Sequence, residues 1–369
     1  LESITKIFGI ILIINSFGIV QQAKLTIALD FKRLAMASLT AVVISGVVGV
    51  IMACKSFGAW ALVWQSLLNN LLRVLFVWFF SGWMPSFRFS VKSFKQLFSF
   101  GSKLLLSSLL HTIYTNLYTM IIGLKFSAGE LGFYNRAFTL AQFPSTNLTN
   151  VIVRAIYPIQ CRLQDDHEQL YGMFLKYMRM ACFFIFPVMI GLCALAEPLV
   201  RLLLTDKWLP AVPLLQILCI AYMWDPVMKI NHNMLNVKGR SDYFLYAEIL
   251  KKAVAFLILF LTIPFGIKVM CAGLIIYSFA DIVIITYYTR KLIGISLYIQ
   301  FKELYPVILL SFSMGAVMYG SVLIFQNVWL QFGIGIVSGS LYFLVLSRYF
   351  RFQEFIILKE ILSRKPKDK

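Results

Sequence analysis

Charged side chains are scarce in this sequence. Only 14% of the 369 residues are charged, 60% are hydrophobic, and the mean hydropathy is +0.81. A soluble protein of this length needs far more charge to cover its surface. Aromatic residues reach 15%, which is typical of lipid-facing helices and of the aromatic belts at membrane surfaces. The composition therefore predicts an all-α polytopic membrane protein.

The residue patterns of metal sites and of enzymes are also missing. The six cysteines are scattered, mostly inside apolar runs and without CxxC or Cys/His spacing, so we expect packing residues and no metal. The sequence contains no DxD, HExxH, GxSxG or Walker motif. It also lacks the long connections that an integral glycosyltransferase or polymerase would use. We expect a protein that is not an enzyme and that binds no cofactor.

Long apolar runs are abundant instead. A membrane-spanning helix needs about 20 mostly apolar residues, and about eleven runs meet that rule. They cover residues 4–28, 34–54, 58–81, 98–124, 130–158, 172–204, 209–236, 243–264, 267–289, 303–325 and 328–347. The connections are short, and the longest is an aromatic and basic stretch that resembles an amphipathic segment on a membrane surface.

Basic residues outnumber acidic ones, 34 to 16, and they sort by side of the membrane. Alternate connections and the C-terminal tail hold 24 lysines and arginines, including Lys251 and Lys252, whereas the opposite side holds five. Basic residues accumulate on the cytoplasmic side of membrane proteins. The bias predicts a cytoplasmic C-terminus and explains the excess of positive charge without nucleic acid.

A faint internal repeat suggests how the spans are grouped. Residues 4–80 and 210–288 share an outline, and their FG pairs at Phe57 and Phe265 lie 208 residues apart. If the first three spans repeat as the seventh to ninth, three further helices are expected before them, giving fourteen in all. Chance similarity between apolar helices is the alternative explanation.

The expected division of the chain follows from this repeat. We predict the second half of an N-terminal lobe at 1–81 and a cytoplasmic amphipathic linker at 82–97. A six-helix C-terminal lobe at 98–290 comes next. Two extra helices within 303–347 and a basic cytoplasmic tail at 348–369 complete the chain.

Ionisable residues inside spans are functional candidates, because the bilayer disfavours charge. The fifth span carries Arg136 and Arg154, eighteen residues and roughly 27 Å apart on a helix, on one face together with Asn147. The two arginines are too far apart for one small ligand. Each could hold a phosphate in a polar cavity, or both could extend to lipid headgroups. We favour the cavity, because the polar residues between the arginines would otherwise face lipid.

Three other spans carry buried charge. Arg73 ends a polar stripe that indicates either helix–helix hydrogen bonds or a cavity wall. Asp225 and Lys229, four residues apart, are expected to pair with each other. Asp281 has no opposite charge nearby in the sequence. It could bind Na⁺ or a proton, or it could pair with a base on another helix.

Three segments resemble a known family: ELGFYNRAFTLAQFPSTNL (130–148), FPVMIGLCALAEPLVRLLLTDKWLPAVPLLQIL (186–218) and NMLNVKGRSDYF (233–244). They are similar to bacterial Wzx-type polysaccharide flippases of the MOP exporter superfamily. FGAWALVWQSLL and SFGSKLLLSSLL also fit, so the resemblance covers essentially the whole chain. It implies two six-helix lobes in a V shape, often followed by two extra helices. It also places the start of this chain in the fourth family helix.

The resemblance implies a function. Such proteins are thought to move undecaprenyl-diphosphate-linked oligosaccharides across the bacterial inner membrane by alternating access. The implied partners are this glycan lipid, the bilayer and the polysaccharide polymerase machinery. The family's cationic cavity makes Arg136 and Arg154 the leading candidates for binding the diphosphate. Asn135, Asn147 and Arg73 are further candidates for binding the substrate. Asp281 and Asp225 are candidates for binding a coupling ion, Na⁺ or H⁺. The candidate hinges are Pro144, Pro187 and Pro226.

Two other functions are weighed against this one. A multidrug exporter of the same fold would have a cavity rich in carboxylates, whereas the charges expected here are mainly positive. A membrane glycosyltransferase or polymerase would need catalytic acids on a sizeable loop.

Overall fold

The computed structural model describes residues 2–55, 57–84 and 90–356, apart from the side chains at 2–8, 59, 96, 111 and 114–119. The chain forms two compact helical units, Leu1–Ser90 and Val91–Lys369. The predicted tail beyond residue 356 and positions 85–89 of the predicted linker lie outside the described residues. The predicted division into lobes, linker and tail stays a prediction.

The first unit contains three helices in its described part: α1 (Glu2–Ile27), α2 (Phe31–Cys54) and α3 (Ala59–Ser81). Helix α3 packs against both of the others. The Asp30 carboxylate accepts a hydrogen bond from the Arg33 amide at 3.1 Å and so caps the start of α2. Between α3 and α1, the Trp78 indole donates to the Phe17 carbonyl at 2.8 Å.

The second unit continues the numbering from α4 to α13 over its described residues. Its helices are α4 (Val91–Lys125), α5 (Ala128–Arg162), α6 (His167–Ala194), α7 (Ala196–Leu204), α8 (Ala211–Tyr222), α9 (Asp225–Val237), α10 (Ser241–Thr262), α11 (Ile267–Ile293), α12 (Leu297–Ile324) and α13 (Val328–Tyr349). Helix α5 begins at a capping box, in which Ser127 and Glu130 exchange side-chain and backbone hydrogen bonds. Helix α4 begins at Val91, inside the predicted linker.

A continuous apolar core holds the second unit together. Helix α6 packs against α5, α8 and α12, and α12 packs against α13. Phe174, Met178 and Phe186 of α6 are fully buried in this core. Many large apolar side chains on the outer helix faces are exposed, among them Leu323 of α12 and Val337 of α13. In water such faces would associate, so they indicate contact with lipid.

The chain is a multi-pass helical membrane protein. Eight stretches of the described residues are long and apolar enough to cross a bilayer, when α8 and α9 are counted as one. The other three predicted spans, at 98–124, 130–158 and 243–264, correspond to α4, α5 and α10. These three helices carry more polar and charged residues. The count of eleven spans stays a prediction.

Two predicted spans are each split in the structure. The span at 172–204 is α6 followed by the short helix α7, with the break at Leu195. The span at 209–236 is α8 followed by α9, with the break at Met223 and Trp224. An apolar run predicts that a segment is buried in lipid or in the protein. It does not predict whether the helix in that segment is continuous.

The assignment of Lys251 and Lys252 to a cytoplasmic connection is wrong. Both lie in the middle of α10, and each is only 4% exposed. The charge bias between the two sides is strong without these two residues. Their burial instead requires partners of opposite charge within the helix bundle.

Close packing between α6 and α12 depends on Gly315. A β-carbon added at Gly315 would collide with the Cγ2 methyl of Ile190, a buried residue of α6. Small residues allow membrane helices to approach each other closely. At Gly320, further along α12, a β-carbon would meet no atom within 4 Å.

We expect Gly315→Val to lower the free energy of unfolding by about 1–3 kcal/mol, because the added side chain forces the two helices apart. Gly320→Val on the same helix is the matched control and should change it little. Thermal melting of the purified protein in detergent measures both variants. Equal melting temperatures for the two would contradict this packing.

Candidate functional site

A polar cavity of about 470 Å³ lies inside the second unit. Helices α4, α5, α8, α9, α10 and α11 contribute its walls. Three of these helices, α4, α5 and α10, are not among the eight stretches that are apolar enough to cross a bilayer. Each of these three helices contributes polar side chains to this interior space.

Helix α5 lines this cavity with Phe138, Gln142 and Thr146. These residues are spaced four apart and so lie on one face of the helix. The adjacent buried face carries Ser145 and Thr149. Ser145 donates a hydrogen bond to the carbonyl of Tyr222 at 2.7 Å. Four polar residues of α5 therefore face the interior of the unit, namely Gln142, Ser145, Thr146 and Thr149.

The break between α8 and α9 lies beside the same cavity, which Tyr222 and Asp225 help to line. Pro226, in the first turn of α9, has no N–H, so the Tyr222 carbonyl lacks its usual helical donor. The Ser145 hydroxyl replaces that donor. Next to the break, the Lys229 ammonium lies 2.7 Å from the Asp225 carboxylate. The expected ion pair between Asp225 and Lys229 is therefore present.

A second and more buried group of charges links α10 to α11. The Lys251 ammonium lies 2.5 Å from Oε1 of Glu248 and 3.3 Å from Oδ1 of Asp281. Lys252 lies 3.8 Å from Oε2 of Glu248 and donates to the Tyr277 hydroxyl at 3.3 Å. Glu248, Lys251 and Lys252 stand at positions i, i+3 and i+4, so one turn of helix brings them together.

His232 of α9 completes this group. Its Nε2 atom lies 2.8 Å from the Lys251 ammonium and 3.3 Å from Oε1 of Glu248. Because the ammonium can only donate, a neutral imidazole with Nε2 as acceptor satisfies the shorter contact. In that form His232 takes part in the network without adding charge.

Among the described side chains that line the cavity, carboxylates and ammonium groups are equal in number. Its carboxylates are Asp225, Glu248 and Asp281, and its ammonium groups are Lys229, Lys251 and Lys252. The expectation of mainly positive cavity charge is wrong for this cavity. Pairing has a physical reason, since each unpaired ion in a low-dielectric interior costs several kcal/mol.

The family described as polysaccharide biosynthesis protein matches residues 1–213. The chain belongs to this family. That confirms the family predicted from the sequence.

Curated relatives agree with this membership. The teichuronic acid biosynthesis protein TuaB of Bacillus subtilis is 27% identical over 269 residues, which is 72% of this chain and 56% of TuaB. The lipopolysaccharide biosynthesis protein WzxC of Escherichia coli is 29% identical over 58% of this chain and 44% of WzxC. The succinoglycan biosynthesis transport protein ExoT of Rhizobium meliloti is 23% identical over the same shares. The chain spans about half the length of these relatives.

The fold has a solved counterpart. The lipid II flippase MurJ, in an inward closed conformation, superposes with a TM-score of 0.60 at 14% sequence identity. The match covers 84% of this chain and 67% of MurJ. At this identity the likeness establishes the fold, and it confirms the predicted all-α membrane architecture.

In this polysaccharide biosynthesis protein, the predicted substrate residues of α5 lie outside the cavity wall. Asn135, Arg136, Asn147 and Arg154 are exposed on the second unit, whereas Gln142 and Thr146 line the cavity. The Arg136 guanidinium stacks over the Trp208 ring at 5.6 Å. Gln142 and Thr146, two of the polar residues between the arginines, therefore lie on a different face of α5 from Arg136, Asn147 and Arg154. The roles of the four exposed residues in binding stay predictions.

The remaining candidates are spread over both units. Arg73 lies half-buried on α3 of the first unit. Asp281 has its base on another helix, Lys251, which was one of the two alternatives. Pro144 and Pro187 lie inside uninterrupted helices, whereas Pro226 adjoins an actual break. The proposed coupling-ion and hinge roles of these residues stay predictions.

Sequence reasoning missed Glu248, Lys251, Lys252 and His232. The two lysines follow a basic connection that contains Lys238 and Arg240, so they read as its continuation. The i, i+3 and i+4 spacing from Glu248 was the available signal. The contact with Asp281, thirty residues further along the chain, had no local signal.

Proposed function

We propose that the complete protein translocates polyprenyl-diphosphate-linked oligosaccharides across the bacterial inner membrane by alternating access. The carrying observation is a polar cavity within a bundle whose outer faces are lipid-like, in a fold shared with a lipid II flippase. The family match and the names of TuaB, WzxC and ExoT support a polysaccharide precursor as the cargo. The protein acts in this proposal as a transporter and not as an enzyme.

The cavity suits the sugar part of such a cargo. Gln142 and Thr146 offer amide and hydroxyl groups, and Phe138 and Tyr222 offer aromatic surface. Sites for small polar molecules combine a mainly apolar wall with a few placed polar groups. The paired charges would interact with the hydroxyl groups of a sugar. Because the charges are paired, they would favour neither an anionic nor a cationic ligand.

Arg136 and Arg154 remain our candidates for the diphosphate. Both are exposed on α5, and a guanidinium binds phosphate oxygens through two parallel hydrogen bonds. Because they are separated by roughly 27 Å along the helix, they would form two phosphate-binding stations that the diphosphate contacts one after the other. Arg73, Asn135 and Asn147 are proposed to assist, with Pro144, Pro187 and Pro226 as bending points.

Orientation and partners complete the proposal. The bias of basic residues supports a cytoplasmic C-terminus. The proposal also includes coupling of transport to Na⁺ or H⁺. It further includes contact with the polymerase that consumes the exported units. The multidrug alternative gains no support, because each carboxylate described in the cavity wall lies within 3.3 Å of a lysine ammonium.

The test uses the complete gene in its host. Deletion should cause lipid-linked repeat units to accumulate on the cytoplasmic face of the inner membrane, and the intact gene should clear them. Normal export in the deletion strain would refute the proposed function.

Complementation with Arg136→Ala and with Arg154→Ala tests the two stations. Since a hydrogen bond to a charged group contributes about 1.5–3 kcal/mol, we expect each to reduce export roughly ten-fold or more. Arg136→Lys and Arg154→Lys should recover only part of it, because an ammonium lacks the planar fork. Arg201→Ala, at an exposed arginine paired with Glu197 and Asp206, is the control. Full export by both alanine variants would remove the arginines from the mechanism.

A further inference from the structure

The ammonium group of Lys251 lies between two carboxylates that belong to different helices. Glu248 of α10 approaches it at 2.5 Å and Asp281 of α11 at 3.3 Å. All three side chains are at least nine-tenths buried. A single positive charge thus joins two negative charges in the wall of the cavity.

The neighbouring groups define this arrangement further. Lys252 reaches the other oxygen of Glu248 at 3.8 Å and contacts Tyr277. His232 approaches the Lys251 ammonium at 2.8 Å. With His232 neutral, two ammonium groups balance two carboxylates. The group needs no additional ion for neutrality as long as Lys251 is present.

Removing the Lys251 ammonium would leave a site of different chemistry. The carboxylate oxygens of Glu248 and Asp281 would converge on one vacated point, with the ring nitrogen of His232 beside it. Converging carboxylate oxygens are the ligands that hard metal cations prefer. A free cation must lose translational freedom to bind there, whereas a cation attached to the chain does not.

We propose that Lys251 is a built-in substitute for an alkali-metal cation, holding α10 and α11 together at a latent cation site. The attached ammonium occupies the site permanently, so Na⁺ or K⁺ cannot compete for it. One consequence rests on the transport function proposed above. The Glu248–Asp281 site is then not where an alkali cation is coupled to transport, which removes Na⁺ from the roles predicted for Asp281 and leaves the proton.

The test measures thermal melting of the complete protein in detergent, at constant ionic strength. NaCl or KCl is titrated against choline chloride, whose cation is too large for the site. The wild-type protein should melt at the same temperature in all three salts. Lys251→Ala should melt lower in choline chloride and should regain stability in a saturable manner as Na⁺ or K⁺ is added.

Lys252→Ala is the matched control. Lys252 is the adjacent lysine, its side chain is equally buried, and it reaches one of the two carboxylates. Its removal should lower the melting temperature without making it depend on Na⁺ or K⁺. In Lys251→Ala/Asp281→Asn, which removes one charge of each sign, the cation dependence should disappear.

Two results would overturn the proposal. One is a saturable, cation-specific stabilisation of the wild-type protein that Asp281→Asn abolishes, since it would show an ion bound beside Lys251. The other is a folded Lys251→Ala protein whose melting is the same in all three salts. Should Lys251→Ala fail to fold, Lys251→Gln serves in its place under the same criteria. Because melting is measured without substrate, a failure of the flippase proposal would not affect this outcome.

Discussion

Replacing Glu248 by alanine is expected to lower the free energy of unfolding by about 3–5 kcal/mol, because it leaves buried positive charge without its partner. Glu248 contacts Lys251, Lys252 and His232, and its own side chain is 6% exposed. The loss is a large fraction of the free energy of unfolding of a typical protein, which is about 5–15 kcal/mol. Apparent melting temperature in detergent and the amount of monodisperse protein extracted from membranes would measure it.

Glu197→Ala provides the comparison for this variant. Glu197 also forms an ion pair with a base four residues away, Arg201, at 2.9 Å, but its side chain is 47% exposed. Exposed pairs at this spacing contribute about 0.3–0.5 kcal/mol. We therefore expect little change at Glu197 and a large one at Glu248. Similar small losses at both positions would show that the α10 charges are well solvated and not buried.

Filling the cavity is the second change with a large expected effect. Thr146→Trp should place an indole ring in the space lined by Phe138 and Gln142, while the outer face of α5 stays unchanged. If the sugar occupies this space during transport, export should fall about ten-fold or more, equivalent to at least roughly 1.4 kcal/mol. Accumulation of lipid-linked repeat units in the complemented deletion strain is the measurement.

Val337→Trp tests whether an added indole ring is harmful in itself. Val337 lies on α13 and is 67% exposed among the outward apolar residues. This variant should complement fully, and the amounts of both proteins in the membrane should match the wild type. Normal export by a well-expressed Thr146→Trp protein would mean that the cargo does not enter the cavity.

Apolar runs alone predict most of the fold. Helices such as α2 and α12 are long and almost free of charge, and a chain in lipid must satisfy its backbone hydrogen bonds internally, so helix is the available structure. The same rule does not show where a helix is interrupted. The break at Met223 and Trp224 lies within an apolar run, and only Pro226 indicates a lost hydrogen-bond donor.

The orientation of α5 could not be read from its sequence. Helical spacing groups Arg136, Asn147 and Arg154 on one face, and it groups Gln142 and Thr146 on another. Both faces are polar, so periodicity does not decide which one turns inward. Packing decides it, because Ser145 and Thr149 beside the second group are buried next to α8 and α9.

The buried charges of α10 show a different limit. A lysine is expensive in a membrane interior unless a carboxylate meets it, and the partner can come from any helix. Glu248 was visible at helical spacing, whereas Asp281 becomes a neighbour only through the packing of α10 against α11. Charge pairing between distant positions therefore needs the tertiary structure.

The interrupted helix also determines how the second unit can deform. At the break, Ser145 of α5 donates to the Tyr222 carbonyl and Ser278 of α11 donates to the Ala221 carbonyl at 3.1 Å. Bending at Pro226 would therefore have to break these two hydrogen bonds, unless α5 and α11 move together with the break. Through these two hydrogen bonds, the end of α8 is attached to both α5 and α11. We therefore expect α5, α8 and α11 to move as one body when the protein changes conformation.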